Sequence, residues 1–382
     1  MKILITGSKG FIGKNLIATL NYIKDGKDKR FGIDTNITIF EYDIDTPYEM
    51  LDTFTAECDF VFHLAGVNRP NDEKEFMENN FEFTSILLEK LKKHNNKAPI
   101  LITSSIQAAF DNPYGKSKKA SERLLFNYGK ENNVRVCIYR LPCVFGKWCR
   151  PNYNSAVATF CHNIARNLPI TVNDRSYIMS LVYIDDVVSE FIMTLTQNEN
   201  KKDDGYCYVP TVYRTTLGEI VDLLYYYRKI RTDKQIPYSK EDSLEKKLYS
   251  TYLSYLPERE FSYPLEMHSD HKGSFTELFR SQERGQISVN ISKPGIIKGN
   301  HWHHTKNEKF VVVSGTGVIR LRRPDSDETI EYYVSGDKIE VVDIPVGYIH
   351  NIENIGKTDM VTVMWCNECF DTDKADTYFG EV

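Results

Sequence analysis

Short apolar runs alternate with helical patterns through the first part of the chain. The first run, residues 2–7, ends at a glycine and precedes a helical pattern over Phe11–Leu20. Further apolar runs, with helical segments between them, follow at Ile37–Phe40, Phe60–Leu64, Ile100–Thr103 and Val136–Tyr139. This alternation predicts a doubly wound parallel sheet, a Rossmann-type α/β domain.

The pattern changes from about residue 261 onward. Short alternating runs now follow one another, separated by glycine, at Gln286–Ser292, Glu308–Ser314, Gly317–Leu321, Ile330–Val334, Ile339–Ile344 and Met360–Trp365. Such spacing is typical of an antiparallel β-barrel or sandwich. We therefore expect an α/β domain over residues 1–245, a linker near 246–255 and an all-β domain, a cupin barrel in the fuller interpretation below, over 256–382.

The composition agrees with two globular domains and excludes several classes of function. The chain has 382 residues, 41% of them hydrophobic, and a net charge of −5, which does not favour nucleic acid or an anionic membrane as a partner. There is no apolar run of about 18 residues, and the first strand leaves no room for a signal peptide. The eight cysteines lack the spacing of a disulfide scaffold, and Cys366-Asn-Glu-Cys369 has no second cysteine pair to complete a metal site. We expect a cytoplasmic protein.

A glycine-rich turn follows the first strand. Gly7, Gly10 and Gly13 would allow a tight turn, a close approach of the backbone to a pyrophosphate, and close packing of the helix on the strand. The N–H groups at the start of this helix, at Phe11 and Ile12, would face the phosphates. A glycine triplet alone is weak support, but the strand–turn–helix context predicts a dinucleotide site.

A second motif carries the chemistry. Tyr114 and Lys118 are four residues apart, so on a helix they lie on one face. A nearby ammonium and a positively charged nicotinamide would lower the pKa of the tyrosine towards the working pH, so that it could pass a proton to a ketone oxygen. Ser105, at the end of a predicted strand, completes a Ser/Tyr/Lys set.

These motifs, with His63-Leu-Ala-Gly66, Arg140-Leu-Pro-Cys-Val-Phe-Gly146 and Tyr183-Ile-Asp185-Asp186, resemble the extended short-chain dehydrogenase/reductase family. The resemblance implies that Ser105 and Tyr114 hold the substrate carbonyl while Lys118 bridges the tyrosine and the nicotinamide ribose. It also implies a cofactor site made of Gly7, Gly10, Phe11, Ile12, Gly13, Glu41, Leu64, Ala65, Gly66, Asn80, Tyr114 and Lys118.

Four positions depart from the family pattern. Ile106 and Gln107 stand where sugar dehydratases of the family carry an Asp-Glu pair, so ketone reduction or oxidation is favoured over water elimination. Cys143 stands where the family usually has asparagine. Met179 stands where an arginine often binds the nucleotide, and Arg175 is near enough to replace it.

The cofactor type remains open at this stage. Glu41, at the end of the second strand, could bind a ribose 2′-hydroxyl, and no arginine adjoins it to bind a 2′-phosphate, which favours NAD. The resemblance described below for the whole chain favours NADPH instead.

The C-terminal half contains a candidate metal site. His301 and His303 are two apart and would lie on one face of a strand, Glu308 follows on the next strand, and His350 can reach them from the second half of a barrel. Three imidazoles and a carboxylate suit zinc, iron, nickel or manganese, and we expect one divalent ion, with zinc favoured. The segment matches the first cupin motif fully and the second in part, since Gly336 lies far from Pro345. An empty barrel with packed histidines is the alternative.

Segments near residues 270–277 and 289–295 resemble cupin-fold sugar 3,5-epimerases, in which a histidine aligned with His301 acts as base. The sequence leaves open whether His301 is a ligand or a base. Contacts to a diphosphate or sugar are expected from Lys147, Arg150, Asn152, Arg175 and Lys298, although a solvated surface explains several of them nearly as well.

The whole chain resembles a family of bifunctional enzymes of capsular polysaccharide synthesis. This resemblance implies C3 epimerisation of a UDP-linked 4-keto-6-deoxy-N-acetylhexosamine, followed by NADPH reduction at C4, on the way to N-acetyl-L-fucosamine; it also suggests a homodimer. One alternative is a sugar reductase whose cupin only binds sugar or dimerises. Another is a metal-dependent dioxygenase fused to a reductase.

Overall fold

The computed structural model describes residues 1–70, 72–237, 239–281, 283–369 and 376–382. The chain divides into two compact units, the first formed by residues 1–225 and 240–257, the second by residues 226–239 and 258–382. Residues 246–254 of the segment expected to be a linker lie in a helix of the first unit. Leu248 and Tyr252 are four residues apart and bury one face of that helix.

The described residues of the first unit form eight strands, β1 to β8: Lys2–Thr6, Thr38–Tyr42, Phe60–His63, Ile100–Ser105, Val136–Leu141, Cys143–Phe145, Ile178–Tyr183 and Tyr213–Thr216. Its helices, α1 to α9, are Phe11–Lys24, Tyr48–Glu57, Lys74–Phe76, Phe83–Lys93, Pro113–Asn132, Ala156–Ala165, Ile184–Met193, Leu217–Thr232 and Leu244–Ser254. Helix α8 begins in the first unit and ends in the second.

The main sheet of this unit is parallel and has the order β2-β1-β3-β4-β5. Two clusters of buried apolar side chains cover it, one containing Ile3, Ile5 and Phe62 and the other Leu4, Val61 and Ile102. Because neighbouring residues of one strand belong to different clusters, both faces of the sheet are buried. The predicted doubly wound sheet is confirmed. The next three strands along the chain form a smaller, separate sheet of order β6-β7-β8.

The second unit is antiparallel throughout its described ladders. Its strands, β9 to β19, are His268–Asp270, Gly273–Ser281, Gly285–Ser292, Ile297–Trp302, Glu308–Ser314, Thr316–Arg322, Thr329–Ser335, Val341–Ile344, Ile349–Asn354, Met360–Cys366 and Tyr378–Phe379. They form one sheet of order β16-β13-β18-β11-β10-β9 and another of order β15-β14-β17-β12-β19. This arrangement confirms the predicted cupin-like β domain.

The buried side chains of the second unit are apolar in one region and polar in another. Phe310, Ile319, Ile352 and Met360 belong to its buried apolar cluster. Elsewhere the strands of this unit bury the polar side chains of Ser288, Asn290, Glu308, His350 and Thr362. Buried polar groups are costly unless they are bonded, so this part of the barrel is the place to look for a site. In the described part of the chain, no helix is both long and apolar enough to cross a bilayer.

Candidate functional site

The turn between β1 and α1 is closed by glycines. Gly7 has φ +71°, and a Cβ there would lie 2.7 Å from the backbone nitrogen of Ala65, the second residue after β3. A Cβ on Gly13 would lie 2.3 Å from the carbonyl oxygen of Gly7, so α1 can pack this closely only because Gly13 has no side chain. Gly10 precedes α1 and provides no side-chain cap, which leaves the start of the helix to a ligand.

The predicted Ser/Tyr/Lys residues come together at the carboxyl end of β4. Ser105 ends this strand, while Tyr114 and Lys118 lie in the first turns of α5, which Asn112 caps by accepting a hydrogen bond from the N–H of Gly115 at 2.7 Å. The Lys118 side chain is buried and its Nζ donates to the carbonyl oxygen of Thr103 at 3.1 Å. This bond places the ammonium 6.0 Å from the ring centre of Tyr114.

Burial shifts the pKa values of both groups. Burial raises the pKa of Tyr114 above its ordinary value, and a hydrogen bond with Ser105 only partly offsets this effect. The sequence interpretation expected a lowered tyrosine pKa, which the protein alone does not provide. Burial lowers the pKa of Lys118 to about 8, with the charge of Glu122 acting in the opposite direction.

Helix α5 is held to the sheet by a buried carboxylate that the sequence interpretation missed. Glu122 accepts hydrogen bonds from Arg140 on β5, at 2.9 and 2.6 Å, from the hydroxyl of Tyr206 at 3.0 Å, and from the hydroxyl of Ser104 on β4. It lies one turn beyond Lys118, a spacing that could have signalled its role. The network fixes the helix that carries the two reactive side chains.

The remaining predicted cofactor residues surround the same edge of the sheet. A Cβ on Gly66 would lie 2.8 Å from Oδ1 of Asn80 and 3.0 Å from Nζ of Lys118, so this glycine leaves open a space between two polar side chains. Leu64 and Ala65 continue from β3, Phe11 and Ile12 begin α1, and Glu41 is exposed near the end of β2. The glycine turn and the space at Gly66 fit a dinucleotide.

Two of the side chains expected to contact the substrate are already paired with carboxylates. Lys147 forms an ion pair with Asp185, and Arg175 donates to both carboxylate oxygens of Asp222 at 2.7 Å. A diphosphate could contact either cation only by competing with its carboxylate. Two other expected contacts lie on the segment after β6, where Arg150 stacks on the ring of Tyr153 and Asn152 has φ +55°.

In the second unit, the four predicted metal ligands converge. One ligand atom from each of His301, His303, Glu308 and His350 lies within 4.8 Å of the others. Nε2 of His303 and of His350 lie 3.6 and 3.2 Å from Oε2 of Glu308. These three atoms are buried and form no hydrogen bond of good geometry. Such a set of unsatisfied donors and acceptors fits a divalent ion.

An irregularity in the backbone of β12 sets the orientation of these side chains. The pairing of β12 with β17 shifts register between Gly299 and His301, and Asn300 has φ +58°. The extra residue places His301 directly opposite His350, and the ring centres lie 4.6 Å apart. Nδ1 of His350 donates to the carbonyl oxygen of Tyr348 at 3.3 Å, which leaves Nε2 for the cluster.

Electrostatics suit cation binding. Burial lowers the pKa of His301 to about 4, so its imidazole is neutral near pH 7 and can donate a lone pair. Burial raises the pKa of Glu308, but interactions with His303, His350 and Lys306 outweigh it and the net pKa lies below its usual range. Lys298 lies outside this cluster, and its Nζ donates to Oδ1 of Asn290 at 2.6 Å.

Comparison with known proteins places the chain in a family. Residues 3–207 match the NAD dependent epimerase/dehydratase family. The chain belongs to that family. Residues 268–378 match the polysaccharide biosynthesis C-terminal domain. Membership identifies the chain as an enzyme of an NAD(P)-dependent family.

Full-length relatives share both units. The chain is 42% identical to UDP-2-acetamido-2,6-beta-L-arabino-hexul-4-ose reductase of Pseudomonas aeruginosa, over 99% of this chain and 98% of that protein. The crystal structure of the capsular polysaccharide assembling protein CapF from Staphylococcus aureus is similar, with 55% identity, a TM-score of 0.92 and complete coverage of both chains. The chain is also 31% identical, over 119 residues, to the spore coat polysaccharide biosynthesis protein SpsL of Bacillus subtilis, covering 28% of this chain and 79% of that protein. The expected resemblance to proteins of capsular polysaccharide synthesis is confirmed.

Proposed function

We propose that the chain is a bifunctional nucleotide-sugar enzyme. The second unit would epimerise C3 of a UDP-4-keto-6-deoxy-N-acetylhexosamine, and the first unit would then reduce the C4 ketone with NADPH. The product is a UDP-N-acetyl-6-deoxytalosamine-type precursor of N-acetyl-L-fucosamine. The observation that carries this proposal is that one chain combines a Ser105/Tyr114/Lys118 set with a buried His/Glu cluster. The name of the P. aeruginosa relative, a reductase of a UDP-linked 4-keto sugar, supports the substrate class.

The first unit provides the proton for reduction. Bound NADPH would supply the hydride for C4. The hydroxyl groups of Ser105 and Tyr114 would hold the carbonyl oxygen, and Tyr114 would donate its proton to that oxygen as charge develops on it. Because burial raises the pKa of Tyr114, the phenol is fully protonated before reaction, as a proton donor must be. The bond from Lys118 to Thr103 keeps the ammonium near the ring.

A preference for NADPH would have a physical basis near β2. Glu41 is exposed there, and by itself would favour the ribose hydroxyl of NADH. The ammonium of Lys9, on the glycine turn, pairs with Asp45, and the N–H of Lys9 donates to Asp43 at 2.7 Å. A 2′-phosphate could replace Asp45 as the partner of Lys9. The ratio of kcat/KM for NADPH and NADH, in the wild type and in Lys9→Met, tests this preference.

The second unit would carry out the epimerisation. A divalent ion held by His301, His303, Glu308 and His350 would supply Lewis acidity to a sugar oxygen. We assign His301 to the ligand set because its ring nitrogen converges with the other three ligand atoms. The ketone at C4 acidifies the hydrogen on C3, so this step needs the ketone and must precede reduction.

Basic and polar side chains would bind the UDP-sugar in each unit. Lys147, Arg150, Asn152 and Arg175 would contact the UDP portion in the reductase site, and Lys298 the sugar in the barrel. We propose a homodimer, by analogy with other cupin proteins.

A deuterium experiment tests both activities and their order. The purified protein is mixed with the keto sugar in deuterated water, first without and then with NADPH, and the sugar is analysed by NMR. We expect deuterium at C3 before any cofactor is consumed. Tyr114→Phe should retain this exchange and lose reduction, whereas His303→Ala should lose exchange and His304→Ala should retain it. Reduction without any exchange at C3 would instead support a non-catalytic cupin, and oxygen consumption would support a dioxygenase.

A further inference from the structure

Asp376, close to the end of the chain, contacts the candidate metal centre in two ways. Its backbone carbonyl accepts a hydrogen bond from Nδ1 of His303, which precedes it by 73 positions. Its carboxylate accepts hydrogen bonds from the N–H groups of His304 at 3.0 Å, Thr305 at 2.7 Å and Lys306 at 3.0 Å. The Thr305 hydroxyl donates to the same carboxylate at 3.0 Å.

The carbonyl contact determines how His303 presents its ring. A carbonyl oxygen can only accept, so Nδ1 must carry the proton and Nε2 must keep its lone pair. Nε2 is the buried atom that faces Oε2 of Glu308 without a hydrogen bond. Partners of this kind set both the tautomer and the orientation of a metal-binding imidazole.

The carboxylate contact holds the segment 304–306 in place. Three consecutive backbone N–H groups and one hydroxyl donate to this single carboxylate, so it fixes the backbone of the segment. The segment it holds carries Lys306, whose Nζ lies 3.0 Å from Oε1 of Glu308. Asp376 is therefore connected to two candidate ligands, directly to His303 and through Lys306 to Glu308.

We propose that Asp376 is a positioning residue of the metal centre, which fixes the ring of His303 and anchors the segment that carries Lys306. This inference rests on the metal site proposed above. Asp376 lies outside both cupin motifs, and its part in the site follows from the fold alone.

Metal binding by the full chain tests this inference. The protein is stripped of metal and titrated with Zn²⁺ against a chromophoric chelator. Asp376→Ala keeps the backbone carbonyl but removes the carboxylate that anchors residues 304–306, so the carbonyl is no longer held against Nδ1 of His303. Loss of a partner behind a ligand typically weakens metal binding by about 10- to 100-fold, and we expect a loss of this size. Asp376→Asn, which keeps one carbonyl oxygen, should lose less. Asp327→Asn, at an exposed aspartate of the same unit, is the matched control and should bind as the wild type does.

A Co²⁺ spectrum separates positioning from general stability. The visible absorption of bound Co²⁺ reports ligand geometry, so we expect Asp376→Ala to shift or weaken these bands, whereas a variant that only lowered stability would retain the wild-type bands. If Asp376→Ala does not fold, Thr305→Ala removes a single donor to the carboxylate and should give a smaller change of the same kind.

The outcomes can be told apart. Wild-type affinity and wild-type Co²⁺ bands in the Asp376 variants, or in Thr305→Ala if those variants do not fold, would overturn the role of Asp376 and leave the metal site standing. A wild-type protein that binds neither Zn²⁺ nor Co²⁺ would overturn the metal site and the role of Asp376 together.

Discussion

Nζ of Lys306 lies 3.0 Å from Oε1 of Glu308, and both side chains are largely buried. The other carboxylate oxygen, Oε2, faces the imidazoles of His350 and His303. The lysine therefore neutralises the carboxylate while leaving one oxygen free for a cation. One oxygen of Glu308 is therefore paired with Lys306, and the other faces the candidate metal site.

Replacing Lys306 should destabilise the metal-free protein. Breaking a buried ion pair typically costs about 3–5 kcal/mol because the remaining charge is uncompensated. We expect Lys306→Met to lower the unfolding free energy of the second unit by somewhat less, since Lys306 is slightly exposed, and Zn²⁺ to restore most of the loss by neutralising Glu308. Chemical unfolding with and without Zn²⁺ measures this. Lys309→Met, which breaks an exposed pair with Asp343, is the control; an equal effect of both substitutions would contradict the prediction.

Metal removal should affect the second unit selectively. Zn²⁺ that binds only the folded state stabilises it by about 4 kcal/mol at 1,000 times its Kd. A chelator should therefore lower the unfolding midpoint of this unit in calorimetry. His350→Ala should lose the response, while His304→Ala should keep it, because His304 is exposed and packs on Trp302 and Tyr378. A chelator response that survives in His350→Ala would argue against the assigned ligand set.

The buried ammonium of Lys118 predicts a dependence of stability on pH. Its pKa is about 8 in the folded protein and has an ordinary value of 10.5. Below pH 8 both states bind the proton, so the stability difference between the wild type and Lys118→Met is constant there. Between these two pH values the unfolded state keeps the proton that the folded state has lost, and the wild type gains about 1.4 kcal/mol per pH unit relative to Lys118→Met.

Urea unfolding at several pH values between 7 and 10 measures this slope. Lys119→Met, at the exposed neighbouring position, should follow the wild type. A flat difference between the wild type and Lys118→Met across that range would mean that Lys118 is not desolvated.

Two glycines of the same turn should behave differently. A Cβ on Gly13 would lie 2.3 and 2.6 Å from the carbonyl oxygens of Gly7 and Ser8, so Gly13→Ala must displace α1, with a cost of about 1–3 kcal/mol typical of overpacking. A Cβ on Gly10 would meet only the Gly7 oxygen, at 3.1 Å. Gly10→Ala should therefore weaken NADPH binding while leaving stability nearly unchanged. Thermal unfolding and cofactor titration measure the two effects, and equal losses of stability would refute the distinction.

The local patterns were sufficient for much of the fold, and they predicted the residues that the structure brings together at both candidate sites. Spacing placed Tyr114 and Lys118 on one helical face because a helix repeats every 3.6 residues, and the structure brings them to the end of β4 beside Ser105. The spacing of His301, His303 and Glu308 likewise anticipated their convergence with His350. The linker near 246–255 was wrong because Leu248 and Tyr252 form a buried helical face within a charged segment.

Periodicity and motif spacing are properties of neighbouring residues, so the chain alone predicted two domains, a dinucleotide turn and a set of candidate metal ligands. Contacts between distant segments carry no such periodic signal. The attachment of Asp376 to His303, the pairing of Lys147 with Asp185 and the division of the Glu308 oxygens emerged only when strands far apart in sequence were packed together. Burial then changed the pKa values of side chains. A lysine on an exposed helix has a pKa near 10.5, whereas burial lowers the pKa of Lys118 to about 8.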